Sequence, residues 1–178
     1  MIEVEKKFRL TKRQRDAVLK RLPEMGASLE GEEFEENTLY DGGTLKSGTS
    51  LLRIRRVGRS ATLTYKKRIP TSSAIKQRRE EETQIADADA MAAILEGLGF
   101  TPALVYEKRR QTWRFGKAEI VIDVLPFGLF MEIEGRVNEI KAVEQKLAMK
   151  GLRVEHATYP QLTMKHGKVF DGLIEARF

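Results

Sequence analysis

The chain has 178 residues, 41% of them hydrophobic and 33% charged, with 32 Lys and Arg against 26 Asp and Glu for a formal net charge of +6. So apolar a chain is not disordered, no apolar run reaches the roughly 20 residues of a spanning helix, and the lack of cysteine excludes disulfides, thiolate metal sites and a cysteine nucleophile. With His156 and His166 as the only histidines, a metal is expected on oxygen ligands, and the positive charge suggests a phosphate-rich partner.

The length predicts one domain over 1–178, and the N-terminus MIEVEKKFRL has no signal-peptide core, which predicts a cytoplasmic protein. Ile2–Leu10 reads as a strand. A helix follows over Lys12–Met25, capped by Thr11 and stopped by Gly26, with Pro23 expected to end or distort its last turn. Strands are predicted over Glu33–Tyr40, Ser50–Val57, Ala61–Ile69 and Gln77–Ile85, with a loop at Pro70–Ala74. A second helix spans Asp87–Leu98, with Asp87 as cap and Met91, Ile94, Leu95 and Leu98 as its apolar stripe. Strands return at Leu104–Phe115, Glu119–Leu125 and Phe130–Glu134. Asn138 is expected to cap a helix reaching Lys150, and a short helix starts at Thr158 with Pro160 in its first turn. Hairpin-length connections between strands predict mostly antiparallel pairing.

Strand side chains alternate between two faces, and here one face of nearly every strand is charged. Glu3, Glu5 and Lys7 oppose Ile2, Val4 and Phe8; Arg53 and Arg55 oppose Leu52 and Ile54; Lys66 opposes Tyr65. Parity from Ile85 sets Glu80 and Glu82 together. Lys108 and Arg110 oppose Val105 and Trp113, Asp123 opposes Ile122, and Glu132 and Glu134 oppose Met131 and Ile133. An open antiparallel sheet with one face in water would also read this way. Like charges at i and i+2, however, repel unless opposite charge lies between them. A sheet closed into a barrel brings the acids and bases around one lumen and leaves the apolar face to be covered by helices. A divalent cation would relieve the carboxylates and an oligophosphate the arginines.

In order along the chain, Glu3-Val-Glu5-Lys-Lys7, Leu52-Arg53-Ile54-Arg55, Leu63-Thr-Tyr-Lys66, Arg78-Arg-Glu80-Glu-Glu82, Lys108-Arg-Arg110-Gln-Thr-Trp113, Asp123, Gly128-Leu-Phe130-Met-Glu132-Ile-Glu134-Gly135 and Thr158-Tyr159-Pro-Gln-Leu162 resemble the motifs of the CYTH superfamily. This group of triphosphate tunnel metalloenzymes includes class IV adenylate cyclases and thiamine triphosphatases. The resemblance runs from Glu3 to about Leu162. It implies an α+β fold, an eight-stranded antiparallel β-barrel forming a tunnel flanked by helices. It implies Mg²⁺ or Mn²⁺ as cofactor, held by Glu3, Glu5, Glu132 and Glu134. It assigns Lys7, Arg53, Arg55, Lys66 and Arg110 to phosphate binding, and Glu3, Glu5, Lys7, Glu80, Glu82 and Asp123 to catalysis, the last three through ligation or water orientation.

The expected activity is metal-dependent hydrolysis of inorganic or small organic triphosphates: tripolyphosphate, ATP or thiamine triphosphate. The alternative is a class IV cyclase making cAMP and pyrophosphate from ATP. Hydrolysis ranks first because no adenosine-positioning surface is legible. A non-catalytic polyphosphate- or RNA-binding module ranks last, because so many carboxylates repel a polyanion without metal; nucleic acid and membrane are not expected partners. The oligomeric state stays open, a homodimer included. Arg9, Arg68, Arg78, Lys108 and Arg114 read equally well as strand-end or ion-pair residues, Trp113 as outer core, and His156 and His166 as surface residues.

Overall fold

The computed structural model describes residues 2–43, 45, 49–69, 77–148 and 151–178, with backbone alone at 2, 3, 68, 69, 77 and 78; the loop expected at Pro70–Ala74 lies outside them. The N-terminal strand is broken at Val4 into β1 (Ile2–Glu3) and β2 (Glu5–Leu10). Helix α1 (Lys12–Glu24) follows, then β3 (Ser28–Gly42), β4 (Ser50–Val57), β5 (Ser60–Ile69) and β6 (Gln77–Ile85). Next come α2 (Ala88–Gly97), β7 (Phe100–Phe115), β8 (Ala118–Leu125), β9 (Gly128–Glu134) and α3 (Val137–Leu147). The chain ends with β10 (Arg153–Val154), α4 (Tyr159–His166), β11 (Lys168–Phe170) and β12 (Leu173–Ala176).

The strands form one curled sheet ordered β1-β6-β5-β4-β3-β7-β8-β9-β2-β10. Every pair along this path is antiparallel; β12 joins β7 in parallel. The N-terminal segment makes the seam: β1 pairs with β6 and β2 with β9, so the path returns to its start through the backbone at Val4 rather than through a continuous ladder. Among the described residues, no helix is long and apolar enough to cross a membrane.

The core lies outside the curl. Phe8, Ile120, Ile122, Met131 and Ile133 pack against Val18 and Leu22 of α1 and Ile140, Val143 and Leu147 of α3. Tyr40, Leu52 and Ile54 pack against Leu95 of α2. Apolar side chains therefore leave water on the outer face, beneath the helices, while the charged faces turn inward. A third cluster joins Leu104, Tyr106 and Phe130 to Tyr159 and Leu162 of α4.

Several local expectations are corrected. Pro23 remains inside α1, because a proline in the last turn forfeits one helical bond; the end is set by Gly26 at φ 87, where Ala27 N–H reaches the Leu22 carbonyl at 3.0 Å. In α2, Ile94 is 54% and Leu98 66% exposed, since so short a helix meets the sheet only along Ala88, Met91, Ala92 and Leu95. The cap of α3 is Arg136, not Asn138: the Glu139 carboxylate accepts from the Arg136 N–H at 2.7 Å, and Gly135 turns the chain straight out of β9. That helix ends at Leu147, where Ala148 turns left-handed at φ 45. Strands β3 and β7 are longer than expected and form one ladder from Ser28↔Arg114 to Gly42↔Phe100, with irregularities near Leu29/Gly31 and Leu39/Tyr40. The β11–β12 hairpin was not anticipated. Arg177 anchors the end of the chain through Glu36, Glu107 at 3.0 Å and Glu175 at 3.2 Å.

Candidate active site in the barrel interior

Register decides which charges meet. Glu5 faces Glu134 and Lys7 faces Glu132 across β2 and β9. Arg110 faces Asp123 across β7 and β8, and Lys108 faces Glu35 across β7 and β3. Lys66 faces Glu80 and Thr64 faces Glu82 across β5 and β6.

Asp123 is fully buried at the hub. Arg110 Nε and Nη2 donate to its two oxygens at 2.8 and 2.6 Å, and Nη2 also reaches Glu132 at 2.9 Å. The Tyr159 hydroxyl donates to Asp123 at 2.7 Å. Lys108, 2% exposed, sits 3.2 Å from Glu35 and 3.7 Å from Asp123. Lys7 lies 3.1 Å from Glu132 and 4.0 Å from the centre of the Tyr159 ring. Across the sheet, Arg55 pairs with Glu82 and Lys66 with Glu80, each at 3.0 Å. Arg53 donates to the Thr64 hydroxyl at 3.3 Å, which in turn donates to Glu82 at 2.9 Å.

Burial and pairing oppose each other here. Burial raises the Asp123 carboxyl, but Arg110 and Lys108 overturn this and hold it well below the carboxylate range. Glu35 is likewise raised by burial and brought below its usual value by Lys108, Arg110 and Arg55. Lys108 moves the other way: burial and the Arg110 charge lower it despite its acidic partners. Burial also works against the Lys7 ammonium, yet Glu132 and Glu5 raise it overall. Arg53 Nε, Arg55 Nε and Asn37 Oδ1 are buried without a hydrogen-bond partner. Guanidinium donors left unmatched in an enclosed polar space suit an anionic ligand.

One carboxylate oxygen from each of Glu5, Glu132 and Glu134 lies within 4.8 Å of the others. Three hard oxygen donors so gathered can hold Mg²⁺ or Mn²⁺ while leaving positions for water or phosphate. Glu132 is buried and the other two are half-buried.

The sequence-predicted residues Glu5, Lys7, Arg53, Arg55, Lys66, Glu80, Glu82, Arg110, Asp123, Glu132 and Glu134 are therefore joined through these contacts into the charged interior, Arg53 feeling both Glu35 and Glu80. Glu82, not Glu81, faces Arg55; Glu81 pairs with Arg79 on the exposed side. Glu3 pairs with Arg78 in register, and its side chain lies outside the described residues. Glu35, Lys108 and Tyr159 were not among the expected site residues. Lys108 carried the signal in its parity with Arg110. Glu35 sits in an acidic stretch with no apolar alternation to orient it.

The CYTH domain profile matches residues 1–159. The chain belongs to the CYTH family. No curated protein matches it. Among solved structures, this CYTH protein resembles the PH1819 protein of Pyrococcus horikoshii, at 28% identity and a TM-score of 0.74, over 92% of this chain and 98% of that one. A Vibrio parahaemolyticus protein provisionally described as an adenylate cyclase matches at 24% identity and a TM-score of 0.73, over 89% and 95%. A Hippeastrum protein, provisionally an adenylyl cyclase and described as having a dominant triphosphatase activity, matches at 19% and 0.69, over 95% and 98%. At such identities the last two establish the fold alone. The CYTH match ends inside α4, so the β11–β12 hairpin lies beyond it.

Proposed function

We propose that this CYTH protein is a divalent-metal-dependent triphosphatase acting on inorganic or small organic triphosphates. The observation that carries the reading is one interior holding both the Glu5, Glu132 and Glu134 cluster and buried arginines with unmatched donors. Splitting a triphosphate is mostly positioning and charge neutralisation. Mg²⁺ or Mn²⁺ bound by Glu5, Glu132 and Glu134, with Glu3 two residues away as a further ligand, would neutralise phosphate oxygens and lower the pKa of a water. Lys7, Arg53, Arg55, Lys66 and Arg110 bind the phosphates, Arg53 and Arg55 with their unmatched Nε donors and Arg110 through Nη1, its Nε and Nη2 being held by Asp123 and Glu132, and Lys108 adds charge behind them. Asp123 is a positioning residue: its oxygens are taken by Arg110 and Tyr159, which fixes the Arg110 fork. Glu80 and Glu82 hold Lys66 and Arg55 in the same manner.

The test is purified protein with Mg²⁺ or Mn²⁺ and a panel of tripolyphosphate, ATP and thiamine triphosphate, products resolved by chromatography. Phosphate release that stops in excess chelator is expected. Conversion of ATP to cAMP without phosphate release would replace the triphosphatase with a cyclase. Binding without turnover of any of the three would remove catalysis altogether.

A further inference from the structure

Both oxygens of the buried Glu132 carboxylate are taken by cations. Oε1 lies 3.1 Å from Lys7 Nζ, and Oε2 accepts from Arg110 Nη2 at 2.9 Å. The same carboxylate belongs to the cluster with Glu5 and Glu134. The Glu5 charge acts on Lys7 as well, so two of the three candidate metal ligands already serve this lysine. The place for a divalent ion and the place for phosphate therefore share Glu132.

Neither cation is free to leave when Glu132 turns to another partner. Lys7 Nζ also donates to the Ala157 carbonyl at 3.3 Å and stands 4.0 Å from the centre of the Tyr159 ring. Arg110 stays on Asp123 through Nε and Nη2. A buried charge that loses its carboxylate is destabilised until another anion replaces it. A divalent ion on Glu132 is thus set against a lysine and an arginine that stay in place. An anion arriving alone meets the opposite obstacle, because the Glu132 charge already occupies both cations.

We propose that Glu132 couples the two ligands: it passes from Lys7 and Arg110 to the metal, and phosphate takes its place on those two cations. The inference rests on the triphosphatase reading and adds to it a linkage between metal and anion. Each alone binds weakly, and each strengthens the other by the same factor, as reciprocity requires. Lys7 holds the metal off until the anion arrives.

The experiment uses the full chain and Mn²⁺ as probe, with free Mn²⁺ read by electron paramagnetic resonance. Titrations are run in sulfate and in chloride at equal ionic strength. Sulfate is a tetrahedral oxyanion that is not hydrolysed and itself holds Mn²⁺ only weakly. Wild type is expected to bind Mn²⁺ about tenfold more tightly in sulfate. Lys7→Met keeps the side-chain length and removes the charge. In chloride it should bind Mn²⁺ about threefold more tightly than wild type, and its gain from sulfate should fall below about threefold. A metal that only bridges to the anion would leave Mn²⁺ affinity in chloride unchanged by Lys7→Met. Equal wild-type affinity in the two salts, or no tighter binding by Lys7→Met in chloride, overturns the coupling and leaves the metal site standing. Failure of wild type to bind Mn²⁺ in either salt removes the triphosphatase reading as well. The wild-type comparison decides the matter even if Lys7→Met does not fold.

Discussion

Glu35→Gln tests whether the interior charges form one interdependent network. The Glu35 carboxylate is 1% exposed, 3.2 Å from Lys108 and 3.6 Å from Arg110, and it accepts from Asn37 at 3.3 Å. At an effective dielectric of about 20, each ion pair contributes roughly 5 kcal/mol of attraction. Desolvation of the carboxylate offsets several kcal/mol of that sum, and removing one partner of a buried pair typically costs about 3–5 kcal/mol. For a chain of this size, about 2–4 °C per kcal/mol gives a fall in Tm on the order of 10 °C. The assay is thermal melting by circular dichroism, with wild type and variant compared across pH. Because the folded Glu35 value lies below its usual 4.5, its stabilisation is complete above that pH and fades as pH falls through the folded value. The wild-type advantage should therefore hold steady from pH 5 to 8 and shrink below about 4.5. A Tm change under about 2 °C at pH 7, or an advantage that grows on acidification, would refute the reasoning.

Glu5→Gln keeps the shape and removes one charge from the carboxylate cluster; most activity should be lost and the remainder should need more Mg²⁺ or Mn²⁺, read from activity against metal concentration. Metal-free, its Tm should not fall, because repulsion within the cluster is relieved; wild-type metal dependence in the variant would remove Glu5 from the site. Arg55→Ala deletes a fork with an unmatched donor and should weaken triphosphate binding by about 2–5 kcal/mol, seen as a raised KM. Unchanged kcat and KM would show that Arg55 touches no phosphate. Tyr159→Phe keeps the ring beneath Lys7 and loses only the bond to Asp123, which should lower stability by about 1.5–3 kcal/mol in denaturant unfolding; a variant as stable as wild type would show that Arg110 and Lys108 alone suffice for Asp123.

Two-residue alternation determined which face of each strand carries charge, because a strand gives its side chains no third direction. Thus Glu80 and Glu82, rather than Glu81, could be assigned inward from Ile85, and they meet Lys66 and Arg55. Caps were legible where a short polar side chain precedes an apolar stripe, as at Thr11 and Asp87. Arg136 was not, since there the turn at Gly135 and the Glu139 side chain set the start. What the sequence could not decide is how far apart residues would meet. Lys108 read equally as a strand-end charge until β3 placed Glu35 opposite it. Tyr159 comes 36 residues after Asp123, and only the packing of α4 against Tyr106 and Phe130 brings its hydroxyl to that carboxylate. Side-chain parity is a local property of the backbone and survives in any fold; the choice among buried partners depends on cross-strand register and helix docking, which exist only once the sheet has curled.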